Sequence, residues 1–573
     1  MRFLCLSLFC LGILGCDSDD PPGIASDEPA LLKLLDHYDE QFDPGESMLR
    51  QEFSSPGYHT RFETGDLVHT TRESLIYALA LLKRGEPEDV ARAEAILEKI
   101  VALQDSDSES TTFGVWPWLL EEPIAEMTSP DLNWADFCGA SLAHILIQHS
   151  GQLSEETRQL AEAALRNATA AIRKRNVGPG YTNIAVLGGG VCAAAGEVFA
   201  DAELLKYGRE RLQGVVEQTA KHGGFNEYNS PPYCKVVIAE CERILELVED
   251  PATRTAAESI HTEAWRMIAG SLHLPTQQLA APHSRSSRNL LRVAMVDFLN
   301  RRTGLELKPH PSMLGGKPRG YGIVKPLMCP KELLTELQAE REYPLQIERV
   351  FVNSRRWQYR RVGTTWSDEA SCLGTANRSS FWTQRKPLLA YWKTADDPAV
   401  VLRLRFLHDG RDFASMGVRS VQDGPRVLST FYPIENAGSW HPSLDRPAEG
   451  LFEAKDLRVR YELIGKGVLL NEPGEGRFEL VAGTRRVVLQ TTESVTWHGG
   501  RGEDRVFVDG VFFSGGMAKV SVESLPKQVL VALELLSPDQ SHAKSRPQFL
   551  GNDIVAKWKW GAGPEDVLTI PAD

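Results

Sequence analysis

Cysteine is scarce, with nine in 573 residues and none in a CxxC pair, a usage that argues against a zinc ribbon or a dithiol redox motif. Positive charge is also short. Lys and Arg number 63 against 77 Asp and Glu, a formal net charge of -14. Counterion release on nucleic acid needs a basic face that this composition does not offer, so no nucleic-acid partner is expected. No apolar run reaches the roughly 20 residues a membrane-spanning helix requires. HExxH is absent, which excludes a zincin site. The glycine run in "VLGGGVCAAAGE" (186–197) lacks the Lys-Ser/Thr of a P-loop and follows no strand, so its small residues are read as allowing close helix packing. No cofactor is expected, although a structural calcium site in the second half of the chain stays open.

What is present starts with "MRFLCLSLFCLGILGC". Arg2 precedes about a dozen apolar residues, and Gly15 stands before Cys16. "ILGC" resembles a bacterial lipoprotein signal, which implies removal of residues 1–16 up to a lipidated Cys16. Acidic, proline-containing "DSDDPPG" then reads as part of a tether over 17–28. The expected location is outside the cytoplasm, anchored to a membrane through lipid on Cys16. The six cysteines beyond the signal read as isolated buried thiols, with one disulfide open to an exported chain.

From about 29 to 290 apolar residues recur at spacings of three and four, as in "RESLIYALALLKRG" and "VVIAECERILELVED". That period predicts serial amphipathic helices, with Ser154 marking a start and Gly85 and Gly223 marking stops. No strand is expected there. From 341 to 573 the period drops to two, in short β-branched runs such as "AVVLRLRFLH" and "KQVLVALELL", which predicts an antiparallel β-sandwich. Residues 291–340, rich in Pro, Gly and Arg, read as a linker region. Serial helical hairpins that form no four-helix bundle point to an incomplete (α/α) toroid, its cleft lined by interhelical loops.

The densest polar chemistry is "KHGGFNEYNSPPY" (221–233), a loop between two helices, with Tyr233 expected to open the second one. It carries His222, Glu227, Tyr228, Asn229 and Tyr233. "GYTN" supplies Asn183, and "PHSRSSRN" supplies His283, Arg285 and Arg288, a basic group suited to an anionic ligand. Trp116, Trp118, Asn133, Trp134 and Asp136 lie on loop-to-helix stretches, where aromatic faces beside amides suit sugar stacking. "NWADF" also reads as a helix capped by Asn133 with Trp134 and Phe137 facing inward. Trp366, Asn377, Arg378 and Gln384 are the polar and aromatic residues of the β half that could reach the cleft.

The plan resembles the α/α-toroid polysaccharide lyases with a C-terminal β-sandwich, the group of chondroitin AC and hyaluronate lyases and heparinase II/III-like proteins. In the chondroitin-lyase branch Asp-Gly-Ser-Phe is followed by Gln-His and then by a Tyr. Gly223, Gly224 and Phe225 match that pattern, Tyr228 stands where the catalytic His would, and Tyr233 falls near the catalytic Tyr. Asn183 upstream and Arg285 downstream follow the family's order. The resemblance implies β-elimination on a uronate-containing anionic polysaccharide. Asn183 and Asn229 would neutralise the carboxylate, Tyr228 and Tyr233 would act as base and acid, Arg285 or His283 would be the cation, and His222 an alternative base. Glu227, Trp116, Trp118, Asn133 and Arg288 would contact substrate. Two alternatives are a toroid glycoside hydrolase using a carboxylate pair from Glu227, Asp131 and Asp136, and a non-catalytic glycan-binding lipoprotein.

Overall fold

A computed structural model describes residues 28–54, 59–314, 323–356, 358–550 and 555–570. The first half is helical: α1 (Glu28–Asp39), α2 (Thr71–Arg84), α3 (Pro87–Ala102), α4 (Trp134–Gln148), α5 (Glu155–Arg175), α6 (Thr182–Val198), α7 (Ala202–His222), α8 (Pro231–Leu247) and α9 (Pro251–Ser271). Their ends follow local chemistry. Ser154, Asp201 and Asp250 accept first-turn amides of α5, α7 and α9, and left-handed Gly85 and Gly223 close α2 and α7.

Consecutive helices pair as hairpins, α2 with α3, α4 with α5, α6 with α7 and α8 with α9. Across hairpins, α2, α4, α6 and α8 lie side by side in one row, while α3 neighbours α5 and α7 neighbours α9 in a second. The first row is the more deeply buried. Fifteen of the seventeen α6 residues are buried, which its Gly and Ala content permits because neighbouring helices approach it from several sides. Within 291–340, α10 (Val293–Thr303) contacts α8, α11 (Lys331–Gln338) contacts α9, and both bury apolar residues in the helical core. Short strands also occur in this half, at Phe42–Asp43, Met48–Glu52, Leu67–Thr70, Leu272–His273 and Gln278–Leu279. They are too brief to show the two-residue alternation by which strands are recognised.

The second half stacks two antiparallel sheets. One runs, in spatial order, Thr496–Gly502, Arg505–Ser521, Leu451–Ile464, Val400–His408, Leu388–Trp392, Ser371–Ala376, Arg361–Ser367 and Leu345–Val352, with Arg411–Asp412 beside Val400–His408. The other runs Leu469–Gly474, Arg477–Ala482, Arg485–Thr491, Leu530–Leu536, Arg426–Pro433, Met416–Asp423 and Arg378–Ser380. Alternating residues of both meet in one core that includes Leu373, Phe406, Tyr461 and Leu533. A three-stranded sheet, Gln548–Leu550, Val555–Lys559 and Val567–Ile570, covers the far side of the second through Trp558 and Ile570.

The strand Leu345–Val352 and the segment 382–386 lie against the helical half. Val350 and Phe351 meet the loop after α7, and Gln384 and Lys386 pair with residues 283–286. The six described cysteines are free and buried, and burial raises their thiols, to about 12 at Cys192, Cys234 and Cys372.

Candidate active site

Gly223 turns the chain out of α7 with φ 88°, close enough to the strand Leu345–Val352 that a Cβ would fall 2.9 Å from the Val350 carbonyl. The loop then lies along that strand. Asn226 Nδ2 donates to the Phe351 carbonyl at 3.0 Å, and the Tyr228 ring stacks on Phe351 at 4.5 Å. Asn229, at φ 42°, donates to the carbonyls of Ala280 (2.6 Å) and Pro282 (2.9 Å), and His283 Nδ1 meets the Asn229 carbonyl at 2.7 Å. Ser230, rather than Tyr233, opens α8: its hydroxyl accepts the Tyr233 amide, and Pro231 and Pro232 occupy the first turn, where no intrahelical amide is needed.

This turn presents Glu227 and Tyr233 to Arg285. Arg285 Nη1 donates to Glu227 Oε1 at 2.9 Å, Nη2 to the Tyr233 hydroxyl at 2.8 Å, and Nε to Gln384 Oε1 at 2.9 Å. Its guanidinium also lies over the rings of Tyr233 (4.2 Å), Trp382 (5.2 Å) and Tyr181 (5.4 Å). Burial works against the Arg285 charge, but Tyr233, Glu227 and Tyr181 outweigh it and hold the group protonated. At the start of α6, Glu227 Oε2 accepts the Asn183 backbone amide (2.8 Å) and its Nδ2 (2.6 Å), where a helix N-terminus favours a carboxylate. Asn183 Oδ1 is buried without a hydrogen-bond partner among the described residues.

Two histidines face this group. His441 packs edge-on to Trp382 at 5.2 Å, in a turn where Asp445 accepts the amides of Trp440 and His441. Burial lowers His441 to about 4; Asp445 opposes that shift, and the charges of His59 and Arg285 reinforce it. His59 Nδ1 meets the Ser129 carbonyl at 2.6 Å, and its ring packs on Trp118 at 5.1 Å. Trp118 stacks on Trp134 at 4.9 Å, and Arg72 lies over Trp134 and Phe137. The indole N–H groups of Trp118 and Trp382 are buried without acceptors among the described residues.

The structure thus brings Asn183, Glu227, Tyr233 and Arg285 together. Asn229 and His283 lie behind them and hold the loop. His222 sits at the end of α7, where Nδ1 accepts the Asn353 amide at 3.0 Å. Trp116 is fully buried and donates to the Ile100 carbonyl, while Arg288 is exposed. Asn133 makes no side-chain cap. It donates to Asp131 Oδ1 (2.6 Å) and the Tyr181 hydroxyl (3.3 Å) and accepts from Arg175 (2.7 Å), and its backbone is already helical. Asp136 is buried against α6, where a Cβ on Gly188 would fall 2.3 Å from its Oδ1. Burial raises it to about 7 despite Arg211 and Arg175. Cys16 lies outside the described residues.

Tyr181, His59, Trp382 and His441 were not legible as site residues. Tyr181 had a signal, two positions before Asn183. His59 and His441 stand in irregular stretches nearly 400 residues apart, and only the docking of the halves makes them neighbours. Among the described residues no group of three or more His, Cys, Asp or Glu could hold a metal ion.

A family model described as a domain of unknown function (DUF8769) matches residues 38–292. No curated protein matches the chain. Among solved structures, the chain is similar to the chondroitin AC lyase of Streptomyces coelicolor A3 in complex with chondroitin sulphate, at 10% identity and a TM-score of 0.46, over 96% of this chain and 87% of that one. It is also similar to a heparinase III, at 9% identity and a TM-score of 0.34, over 94% and 89%. A sugar epimerase from a ruminal bacterium aligns with 54% of this chain and 97% of its own length at 13% identity and a TM-score of 0.33.

Proposed function

We propose that this chain is a polysaccharide lyase that cleaves a uronate-containing anionic glycan by β-elimination in a toroid cleft closed on one side by the sandwich. The observation that carries the reading is Arg285, which joins Tyr233, Glu227 and, through Glu227, Asn183 in one hydrogen-bonded group. Removing the proton at C5 of a uronate requires its carboxylate to be neutralised, because the developing enolate places charge on that group. Arg285, which also hydrogen-bonds Tyr181, is a cationic donor of the kind that meets the need. Asn183 Oδ1 supplies an acceptor for a substrate hydroxyl.

Tyr233 is the acid in this reading. Its oxygen accepts from Arg285, and its hydroxyl is the group that would protonate the departing O4. The Tyr228 ring is stacked on Phe351, His222 Nδ1 accepts the Asn353 amide, and His441 Nδ1 accepts the Ser443 and Leu444 amides, so neither histidine offers its lone pair to the C5 proton. In the reaction the base takes the C5 proton, the C4–O4 bond breaks, a C4–C5 double bond forms and O4 leaves with the acid's proton. The carboxylate-pair alternative is less well supported, since Asp136 is packed under Gly188 and Glu227 is held by Arg285 and Asn183.

The test is absorbance from the unsaturated uronate, read over alginate, glucuronan, chondroitin, hyaluronan, heparin and ulvan with protein lacking residues 1–20. A rise with any of them supports elimination. Silence from folded protein, with reducing ends released instead, overturns it in favour of hydrolysis. Anchoring through lipid on Cys16 belongs to the same proposal: Cys16→Ser should release the chain from the membrane fraction, and unchanged membrane association would refute the anchor.

A further inference from the structure

Taking the C5 proton needs a base, and Tyr228, His222 and His441 are committed elsewhere, the first to Phe351 and the two histidines to backbone amides. A second phenol lies beside Arg285. Tyr181 stands immediately before α6, two residues from Asn183, and is half-buried. It matches none of the motif residues through which the chain resembles the toroid lyases. Arg285 touches both phenols: its guanidinium carbon lies 4.2 Å from the Tyr233 ring centroid and 5.4 Å from that of Tyr181, and it hydrogen-bonds both hydroxyls.

The Tyr181 oxygen has a second donor, whose direction the chain fixes. Asn133 Oδ1 accepts from Arg175 Nη1 at 2.7 Å, and an arginine can only donate, so this amide has one orientation. Its Nδ2 therefore donates, to Asp131 Oδ1 at 2.6 Å and to the Tyr181 oxygen at 3.3 Å. Arg175 ends α5 and lies 3.9 Å from Asp136 Oδ2 in α4, so two helices hold the group that holds Asn133. The Tyr181 oxygen thus faces a guanidinium and an amide N–H, and a negative charge placed on it would meet a donor at each of its two acceptor positions.

We propose that Tyr181 is the base that takes the C5 proton, with Asn133 and Arg175 as positioning residues that hold its oxygen. This rests on the elimination reading of the Arg285 site. Tyr181 acts as the phenolate. The C5–H electron pair becomes the C4–C5 double bond, the C4–O4 pair leaves with O4, the C5 proton ends on Tyr181 and O4 takes the proton of Tyr233. Return of one proton from Tyr181 to Tyr233 through solvent closes the cycle.

The test compares the unaltered full chain with Tyr181→Phe, Tyr233→Phe, Asn133→Ala, Arg175→Lys and Arg175→Met. Two readouts are taken: absorbance from the unsaturated uronate on alginate, glucuronan, chondroitin, hyaluronan, heparin and ulvan, and fluoride release from methyl 4-deoxy-4-fluoro-β-glucuronide, whose leaving group departs without a proton. Tyr181→Phe should lower turnover by about 100-fold or more with both kinds of probe at an unchanged melting temperature, whereas Tyr233→Phe should lose turnover only on polysaccharide. Asn133→Ala should lower kcat by about tenfold with KM held; Arg175→Lys, which still donates to Asn133, should retain kcat, and Arg175→Met should not. A merely structural Asn133 or Arg175 would lower the melting temperature and leave kcat native. Near-native polysaccharide turnover by Tyr181→Phe overturns the base while leaving elimination in place. Native fluoride release by that variant, with polysaccharide turnover lost, makes Tyr181 an acid and likewise overturns the proposal. No elimination by the unaltered chain from any glycan removes the lyase reading, and the base with it.

Discussion

In the proposed elimination, Arg285 and Tyr233 divide one task between a fixed charge and a movable proton. The guanidinium is fastened at three nitrogens, so it cannot follow a substrate, while the phenol keeps a proton to give. Tyr233→Phe should therefore lower kcat by about two orders of magnitude or more with little change in KM, as expected for loss of a general acid. Arg285→Lys keeps the charge but loses the fork, and should raise KM as well as lower kcat. Steady-state kinetics on the glycan that reports elimination checks both. His441 holds its own turn: Nδ1 accepts the Ser443 and Leu444 amides, and burial lowers the ring to about 4, so His441→Gln should lower stability more than kcat, read by denaturant unfolding beside steady-state kinetics.

At the scale of elements, the loop between α7 and α8 is held by Asn229. Its positive φ and two donated bonds to the chain at 280–282 are requirements that few residues meet together. Asn229→Ala loses both, at about 2–4 kcal/mol, whereas Asn229→Gly restores the backbone and recovers part of that. Denaturant unfolding of the pair separates the two contributions. His283 beneath this loop is buried and lowered to about 4 by burial, although the Asn229 carbonyl opposes the shift. A folded-state value below the unfolded 6.5 means that the unfolded chain binds more protons between them. Stability should thus fall as pH drops from about 6.5 to 4, and His283→Gln should flatten that slope. The helices, their glycine stops and the polar turn were legible because capping and periodicity are local. The helices within 291–340 were not, since Pro, Gly and Arg dominate that composition while Met295, Phe298 and Leu333 bury themselves against α8 and α9. Of the site, Asn183, Glu227, Tyr233 and Arg285 could be read from residue type and order. His441 and Trp382 could not, because nothing in their own stretches places them opposite residue 285.

For the whole molecule, the site exists only where the halves meet. Arg285 needs Gln384 from the sandwich, His283 and Lys386 exchange backbone bonds at 3.1 and 3.0 Å, and Thr365 donates to the Ala281 carbonyl at 2.6 Å. Gly374 lies at the centre of this seam. A Cβ there would fall 1.7 Å from the Ala281 carbonyl oxygen, a backbone atom that cannot swing aside. Gly374→Ala must therefore shift either the strand Ser371–Ala376 or residues 280–283, and with them His283, Asn229 and Arg285. The expected cost is about 1–3 kcal/mol in denaturant unfolding, the range for overpacking a buried contact. Activity should fall more than stability, because a shift of about 1 Å in a catalytic group costs around 100-fold. Gly214→Ala in α7 serves as the control: its Cβ meets nothing within 4 Å, and alanine in a helix interior gains up to about 1 kcal/mol. A Gly374→Ala protein with native turnover would show that the two halves need not be in register for catalysis, and would place the chemistry within the helical half alone.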